Sequence, residues 1–142
     1  MEQKPPLLDI VATPVSVDDM VNRLSDPANG AVVTFVGVVR GATDGRQVRF
    51  LEYEAYPEMA LATFEQIRSE IRSRWPTVNE VAIAHRVGRL LVGEVAVVIA
   101  LSAGHRSQVF DALHYAIDRV KQIAPIWKKE VWTDGSEWKS EQ

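Results

Sequence analysis

The chain contains no cysteine, which excludes disulfide bonds, thiolate metal sites and any sulfur nucleophile carried by the chain itself. Its three histidines, His85, His105 and His114, lack the short spacings of metal-binding motifs, so we predict neither a metal site nor a cofactor. The N-terminus has no apolar stretch typical of a secretory signal, and no apolar run approaches the ~20 residues of a membrane span. These absences predict a cytoplasmic protein that does not bind membranes.

Positive charge is not in excess, with 16 Lys and Arg residues against 19 Asp and Glu residues and a formal net charge of −3. A general nucleic-acid-binding protein needs a basic face, so this class is disfavoured. Hydrophobic residues make up 46% and charged residues 25% of the 142 positions, which is typical of globular domains. Since no repeat or linker interrupts the chain, we predict a single domain over residues 1–142, with a polar tail over residues 134–142.

The periodicity of apolar residues predicts strands and helices in mixed order. Strands are predicted over residues 7–13, 31–39, 48–55, 81–87, 95–101 and 126–133, and helices over residues 16–25, 57–75 and 104–124. Residues 31–39 are nearly all apolar, which predicts a strand covered on both faces. The loop 40–46 is predicted to join it to strand 48–55 in an antiparallel hairpin. This order favours an α+β fold with a mainly antiparallel sheet.

Cationic side chains stand near several predicted element ends, where they suit an anion site. His105 and Arg106 open the last helix, and a helix N-terminus attracts phosphate, although the segment taken alone is slightly more typical of a solvated capping turn. Arg40 and Arg46 flank a loop with two glycines, which by itself is more typical of an exposed hairpin.

Two lysines are candidates for residues that carry chemistry. On a helical wheel, Lys121 lies about 95° from the centre of the apolar stripe, a boundary position at which a lysine can act as a base or nucleophile. The alternative is a side chain that simply extends into solvent. Lys128 follows a proline and a tryptophan, and its alternative is a surface strand residue. Five cationic or cationisable side chains would form a local anion site in an acidic chain if they converged: Arg40, His105, Arg106, Lys121 and Lys128. Their spacing in the sequence does not by itself require that they converge.

An ordered set of sequence blocks resembles the large, catalytic subunit of molybdopterin synthase. The blocks are GVVR at residues 37–40, GR at 45–46, LEYEAYP at 51–57, MA at 59–60, HRVG at 85–88 followed by Gly93, SAGHRS at 102–107, and Lys121 followed by APIWKKE at 124–130. Each block alone is weakly specific, whereas the whole set is specific. The resemblance extends over residues 30–138.

The resemblance implies an α+β fold of the α/β-hammerhead type in a subunit that forms a homodimer. It implies that each large subunit binds a small ubiquitin-like sulfur-carrier subunit, so that the assembly is a heterotetramer. The thiocarboxylate at the C-terminal Gly-Gly of the carrier would enter a pocket of the large subunit. Two sulfurs would then pass in turn to cyclic pyranopterin monophosphate and form the dithiolene of molybdopterin, which makes the implied enzyme a sulfurtransferase.

The resemblance also implies roles for residues of this chain. Lys121 and Lys128 match the catalytic lysines of the family, and part of the pocket is expected to come from the neighbouring subunit. Arg40, His105 and Arg106 match anion-binding positions, and the substrate-contact segments contain Val38, Val39, Lys129 and Glu130. Two positions depart from the family pattern: Val38 replaces the Lys of some members, and Gly104 replaces the usual Ala, a change that adds only backbone freedom.

The absence of cysteine agrees with a reaction in which the sulfur arrives on another chain. The alternative is a non-catalytic α+β regulatory module that binds a phosphorylated metabolite through the same cationic residues. One experiment distinguishes the enzyme from the regulatory module. The chain is mixed with a thiocarboxylated carrier and cyclic pyranopterin monophosphate, and only the enzyme forms dithiolene.

Overall fold

A computed structural model describes residues 6–140, which form nine strands and three α-helices. The strands are β1 (Leu8–Val11), β2 (Ala31–Val38), β3 (Ala42–Thr43), β4 (Arg46–Ala55), β5 (Val78–Arg86), β6 (Gly88–Leu91), β7 (Val95–Ala103), β8 (Ile126–Trp132) and β9 (Gly135–Ser140). The helices are α1 (Val17–Arg23), α2 (Pro57–Arg74) and α3 (Val109–Ile123), and a 3₁₀ turn at Arg106–Gln108 precedes α3. None of these helices is long and apolar enough to cross a membrane.

The first sheet has the strand order β1–β5–β7–β2. Strand β7 pairs antiparallel with both β5 and β2, while β1 pairs in parallel with β5, so that Leu8 stands opposite Ile83. The two central strands are largely buried because helices cover both faces of the sheet. The predicted α+β class with a mainly antiparallel sheet is therefore confirmed.

Helices α2 and α3 pack on one face of this sheet, and α1 covers the other. The apolar residues of α2 recur at three- and four-residue intervals, which places Phe64, Ile67 and Ile71 on one fully buried stripe. Full burial of each such side chain contributes about 1.5–3 kcal/mol. A polar contact adds to this packing, because Arg119 of α3 holds Glu70 of α2 with two hydrogen bonds of 3.0 Å.

The second sheet has the order β3–β4–β8–β9, with β6 also paired to β4. The hairpin predicted between residues 31–39 and 48–55 is wrong, because β2 pairs with β7 in the first sheet while β4 pairs with β3, β6 and β8. Composition predicted two strands correctly, but the loop between them crosses from one sheet to the other. Strand β2 is consequently an edge strand, and Val32 and Val38 are 38% and 53% exposed rather than covered on both faces.

The described part of the predicted polar tail is a strand, not an extension into solvent. β9 pairs antiparallel with β8, with Gly135 opposite Trp132 and Lys139 opposite Lys128, and residues 141–142 lie outside the described residues. Its polar composition gave no strand signal, since main-chain pairing with β8 rather than apolar burial supports it. Strand β6 was missed too, because it has only four residues, begins at Gly88 and is closely followed by Gly93, and both glycines adopt positive φ.

Candidate active site

A cavity of about 400 Å³ lies between the edge strand β2 of the first sheet and strands β4 and β8 of the second. Apolar side chains form part of its wall, with Phe35 from β2 and Leu51 and Tyr53 from β4. Four charged side chains of the described part of the chain also line it: Arg40, Lys121, Lys128 and Glu130. Three cations against one carboxylate leave an excess of positive charge, which suits an anionic ligand.

The two lysines reach the cavity because the chain reverses between α3 and β8. Lys121 stands in the last turn of α3, which ends at Ile123, and the capping residue Ala124 immediately precedes Pro125. Ile126 then anchors the start of β8 in the core. Because side chains alternate along a strand, Lys128 and Glu130 lie with Ile126 on the face of β8 that is turned inward.

On the β8 side of the cavity, the buried carboxylate of Glu130 lies close to two lysine ammonium groups and an indole N–H. Its side chain is only 3% exposed, and a buried carboxylate is costly unless cations and hydrogen-bond donors surround it. Its Oε2 lies 3.7 Å from Nζ of Lys128, and its Oε1 lies 3.5 Å from Nζ of Lys139. The indole Nε1–H of Trp132 also donates to Oε1 at 3.1 Å. Glu130 thereby keeps the ammonium group of Lys128 nearby, and the Lys128 side chain is 13% exposed.

Of the residues predicted to contact substrate, Val38, Arg40 and Glu130 line the cavity, and Val39 and Lys129 do not. The side chain of Val39 is buried, and its main chain pairs with the turn after β6 through Gly93 and Glu94. Lys129 lies on the opposite face of β8, with Nζ 5.9 Å from the centre of the Trp138 ring.

His105 and Arg106 lie at the other end of α3 from Lys121. At 1.5 Å per residue, the helix separates them from that lysine by about 20 Å. Both are exposed, and His105 Nδ1 accepts a 3.3 Å hydrogen bond from the main-chain N–H of Ser107, which caps the 3₁₀ turn. Within one chain, therefore, the predicted cluster of five residues is only partly assembled, since Arg40, Lys121 and Lys128 meet without this pair.

The sequence reasoning missed the aromatic wall of the cavity and the contribution of β9. Tyr53 packs edge-on against His85, with ring centres 4.8 Å apart. His85 is buried, as predicted for a core histidine, and its Nδ1–H donates to the carbonyl of Arg86 at 2.9 Å. The alternation of the apolar Leu51 and Tyr53 with the acidic Glu52 and Glu54 was a usable signal for the wall. The polar tail offered no such signal for Lys139.

Comparison with known proteins decides the family. The model of the MoaE protein family matches residues 10–123, most of the chain. The chain belongs to the MoaE family. Its relatives include the molybdopterin synthase catalytic subunits of Nostoc sp. strain PCC 7120, 53% identical over 127 residues (89% of this chain, 77% of the relative), and of Halalkalibacterium halodurans, 47% identical over 133 residues (94% and 85%). The resemblance inferred from the sequence blocks is confirmed.

The crystal structure of molybdopterin synthase from Staphylococcus aureus has the same fold as this MoaE-family chain. The two superpose with a TM-score of 0.91 at 42% identity, over 95% of this chain and 98% of the other. The family match ends at residue 123, so it includes Arg40 and Lys121 but not Lys128 or Glu130. Lys128 and Glu130 are related to the matched part of the chain because they line the same cavity as Arg40 and Lys121.

Proposed function

We propose that this MoaE-family chain is the catalytic subunit of a molybdopterin synthase. It transfers sulfur from the C-terminal thiocarboxylate of a small carrier subunit to cyclic pyranopterin monophosphate. The observation that carries the proposal is the cavity shared by Lys121 and Lys128, which come from different elements of a chain that belongs to this family. Both reactants are anionic, and the cavity has an excess of positive charge.

The transfer exchanges one oxygen of the pterin for sulfur. The thiocarboxylate sulfur forms a C–S bond to the pterin carbon, and the displaced oxygen takes up a proton and leaves as water. Water then adds to the carrier carbonyl of the resulting thioester, and cleavage of the bond between that carbonyl and sulfur leaves a carboxylate on the carrier and a thiolate on the pterin. A second carrier delivers the second sulfur to the neighbouring carbon in the same way, except that the oxygen displaced at one of the two carbons belongs to the cyclic phosphate. That C–O bond breaks, the oxygen stays on phosphorus, and the ring opens as the dithiolene is completed.

The two lysines have separate roles in this scheme. Lys121, exposed at the mouth of the cavity, handles proton transfer and stabilises the negative oxygen of the tetrahedral adduct at the carrier carbonyl. Lys128, held by Glu130, orients the pterin and polarises its leaving oxygen. Arg40 supplies a bidentate donor for the phosphate or the thiocarboxylate.

The partner in this scheme is a small ubiquitin-like subunit that ends in Gly-Gly. A diglycine tail has no side chains, so it is the narrowest peptide that can extend into a cavity of this size. In the proposed heterotetramer two copies of this chain form a dimer, and His105 and Arg106 of one copy complete the anion site of the other. Such an arrangement accounts for their distance from the lysines of their own chain.

The deciding experiment mixes the purified chain with a thiocarboxylated carrier and cyclic pyranopterin monophosphate, and measures the dithiolene formed. The matched control is the same carrier ending in an ordinary carboxylate, which must yield none. Binding of the precursor without conversion would instead support the regulatory-module alternative, since a binding protein leaves the precursor unchanged.

A further inference from the structure

We propose that Lys139, in the C-terminal strand β9, is a positioning residue for Lys128. It compensates the charge of Glu130, so that the positive charge of Lys128 stays available to an anion in the cavity. This inference rests on the proposed function and adds a residue to its machinery that none of the matched sequence blocks contains.

The register of the second sheet places three charges on one face. Lys128 and Lys139 stand directly opposite each other on β8 and β9. Like charges at opposite positions of an antiparallel pair destabilise it. Glu130, two residues along from Lys128, is on the same face, and its carboxylate lies within 4 Å of both ammonium groups. The carboxylate therefore allows two lysines to face each other in the ladder.

The two lysines differ in their position relative to the cavity. Lys128 lines the cavity with Glu130, whereas Lys139 does not line it. Two ammonium groups share one carboxylate, so one positive charge remains uncompensated on this side of the cavity. Neither Nζ–oxygen distance, 3.7 Å for Lys128 and 3.5 Å for Lys139, is within the usual hydrogen-bond range. Lys128 is thus held near Glu130 without being locked onto it.

Trp132 holds Glu130 and Lys139 in place. Its indole N–H donates to the same oxygen, Oε1, that faces Lys139, and the Nζ of Lys139 lies 5.7 Å from the centre of the Trp132 ring. A cation within about 6 Å of an indole face is stabilised by it. Lys139 is therefore anchored to β8 by both an ion pair and an aromatic contact.

Removing the charge at position 139 tests the role. In Lys139→Met, Lys128 is the cationic partner that Glu130 retains among residues 6–140, so Lys128 should bind the carboxylate more closely and the substrate less well. We expect kcat/KM for the pterin to fall about tenfold, equivalent to about 1.4 kcal/mol, mainly through KM. Lys139→Arg should restore at least a third of the wild-type value. Arg49→Met, which removes one positive charge from an exposed position on β4, is the matched control.

A second measurement decides the proposal independently of sulfur transfer. The acetylation rate of Lys128 by an N-hydroxysuccinimide ester is measured by peptide mass spectrometry, with Lys129 as internal reference. It should fall about tenfold in Lys139→Met, and it should recover when Glu130→Gln is added. An unchanged rate, or a Lys139→Arg variant that behaves like Lys139→Met, overturns the proposal. A wild-type chain that forms no dithiolene would refute the proposed function, whereas the labelling result would still decide the role of Lys139.

Discussion

Lys121 and Lys128 line one cavity although one belongs to a helix and the other to a strand. The reversal at Pro125 that ends α3 and starts β8 brings them together. Because β8 is paired on both sides, with β4 and with β9, the position of Lys128 is fixed by the sheet. The position of Lys121 depends instead on how α3 packs against the first sheet and α2.

The two lysines are expected to be needed for turnover but not for folding. Lys121→Ala and Lys128→Met should each lower the rate of dithiolene formation by about 10²–10³, the usual cost of losing a group that stabilises charge in the transition state. Lys121 is exposed, so the melting temperature of its variant should stay near that of the wild type. Gln122→Ala, the exposed neighbour, is the matched control. Near-normal turnover by both lysine variants would remove them from the mechanism.

Val38 offers a way to add charge to the cavity at little structural cost. It is half exposed and lines the cavity, so Val38→Lys should fold normally and bind inorganic pyrophosphate about threefold to tenfold more tightly at low salt, with the gain lost at high salt. The control is Val32→Lys on the same strand, since Val32 is exposed but does not line the cavity. Isothermal titration at two ionic strengths measures the difference, and equal effects of the two substitutions would contradict this prediction.

Gly30 and Gly104 should respond differently to the same substitution. A Cβ at Gly30 would overlap the carbonyl of Gly104, whereas a Cβ at Gly104 has Ala28 O as its nearest neighbour at 3.5 Å, an ordinary contact. Gly30→Ala should therefore reduce the free energy of unfolding by about 1–3 kcal/mol, and Gly104→Ala should change it by less than about 1 kcal/mol. Urea denaturation of both variants tests the pair, and a more stable Gly30→Ala variant would show that the close approach is not needed.

Glu70 should make folding stability depend on pH. Hydrogen bonds from Arg119, then Gln66 and Tyr115, lower the pKa of the Glu70 carboxyl from 4.5 to about 2. Since the pKa is lower in the folded state, this stabilisation is complete above pH 4.5 and is lost as the pH falls towards 2. The carboxylate is 27% exposed and screened by water, so we expect Glu70→Gln to cost about 1–2 kcal/mol at pH 7.

The measurement for Glu70 is denaturant unfolding of the wild type and Glu70→Gln between pH 7 and pH 2. The difference between them should shrink as the pH falls, because protonation removes the charge from the wild-type side chain too. Glu58→Gln, exposed in the first turn of the same helix, serves as the control. A difference that stays constant down to pH 2 would rule out the charge as its source.

The sequence alone determined most of the elements and the family. Helix α2 follows from its three- and four-residue apolar spacing, and the start of α1 follows from Ser16, whose hydroxyl accepts from the N–H of Asp19. These signals are local, because capping and periodicity involve residues only a few positions apart. The lack of cysteine and the ordered sequence blocks likewise needed no structure to point to sulfur carried by another chain.

The tertiary structure alone decided which elements pair and which side chains meet. It separated β2 from β4, made a strand of a polar tail, and brought Lys139 to Glu130. It also united Lys121 with Lys128 while leaving His105 at the far end of α3. The reason is physical: strand partners and register are chosen by contacts between segments far apart in the chain, and the apolar pattern of one strand does not specify its neighbour.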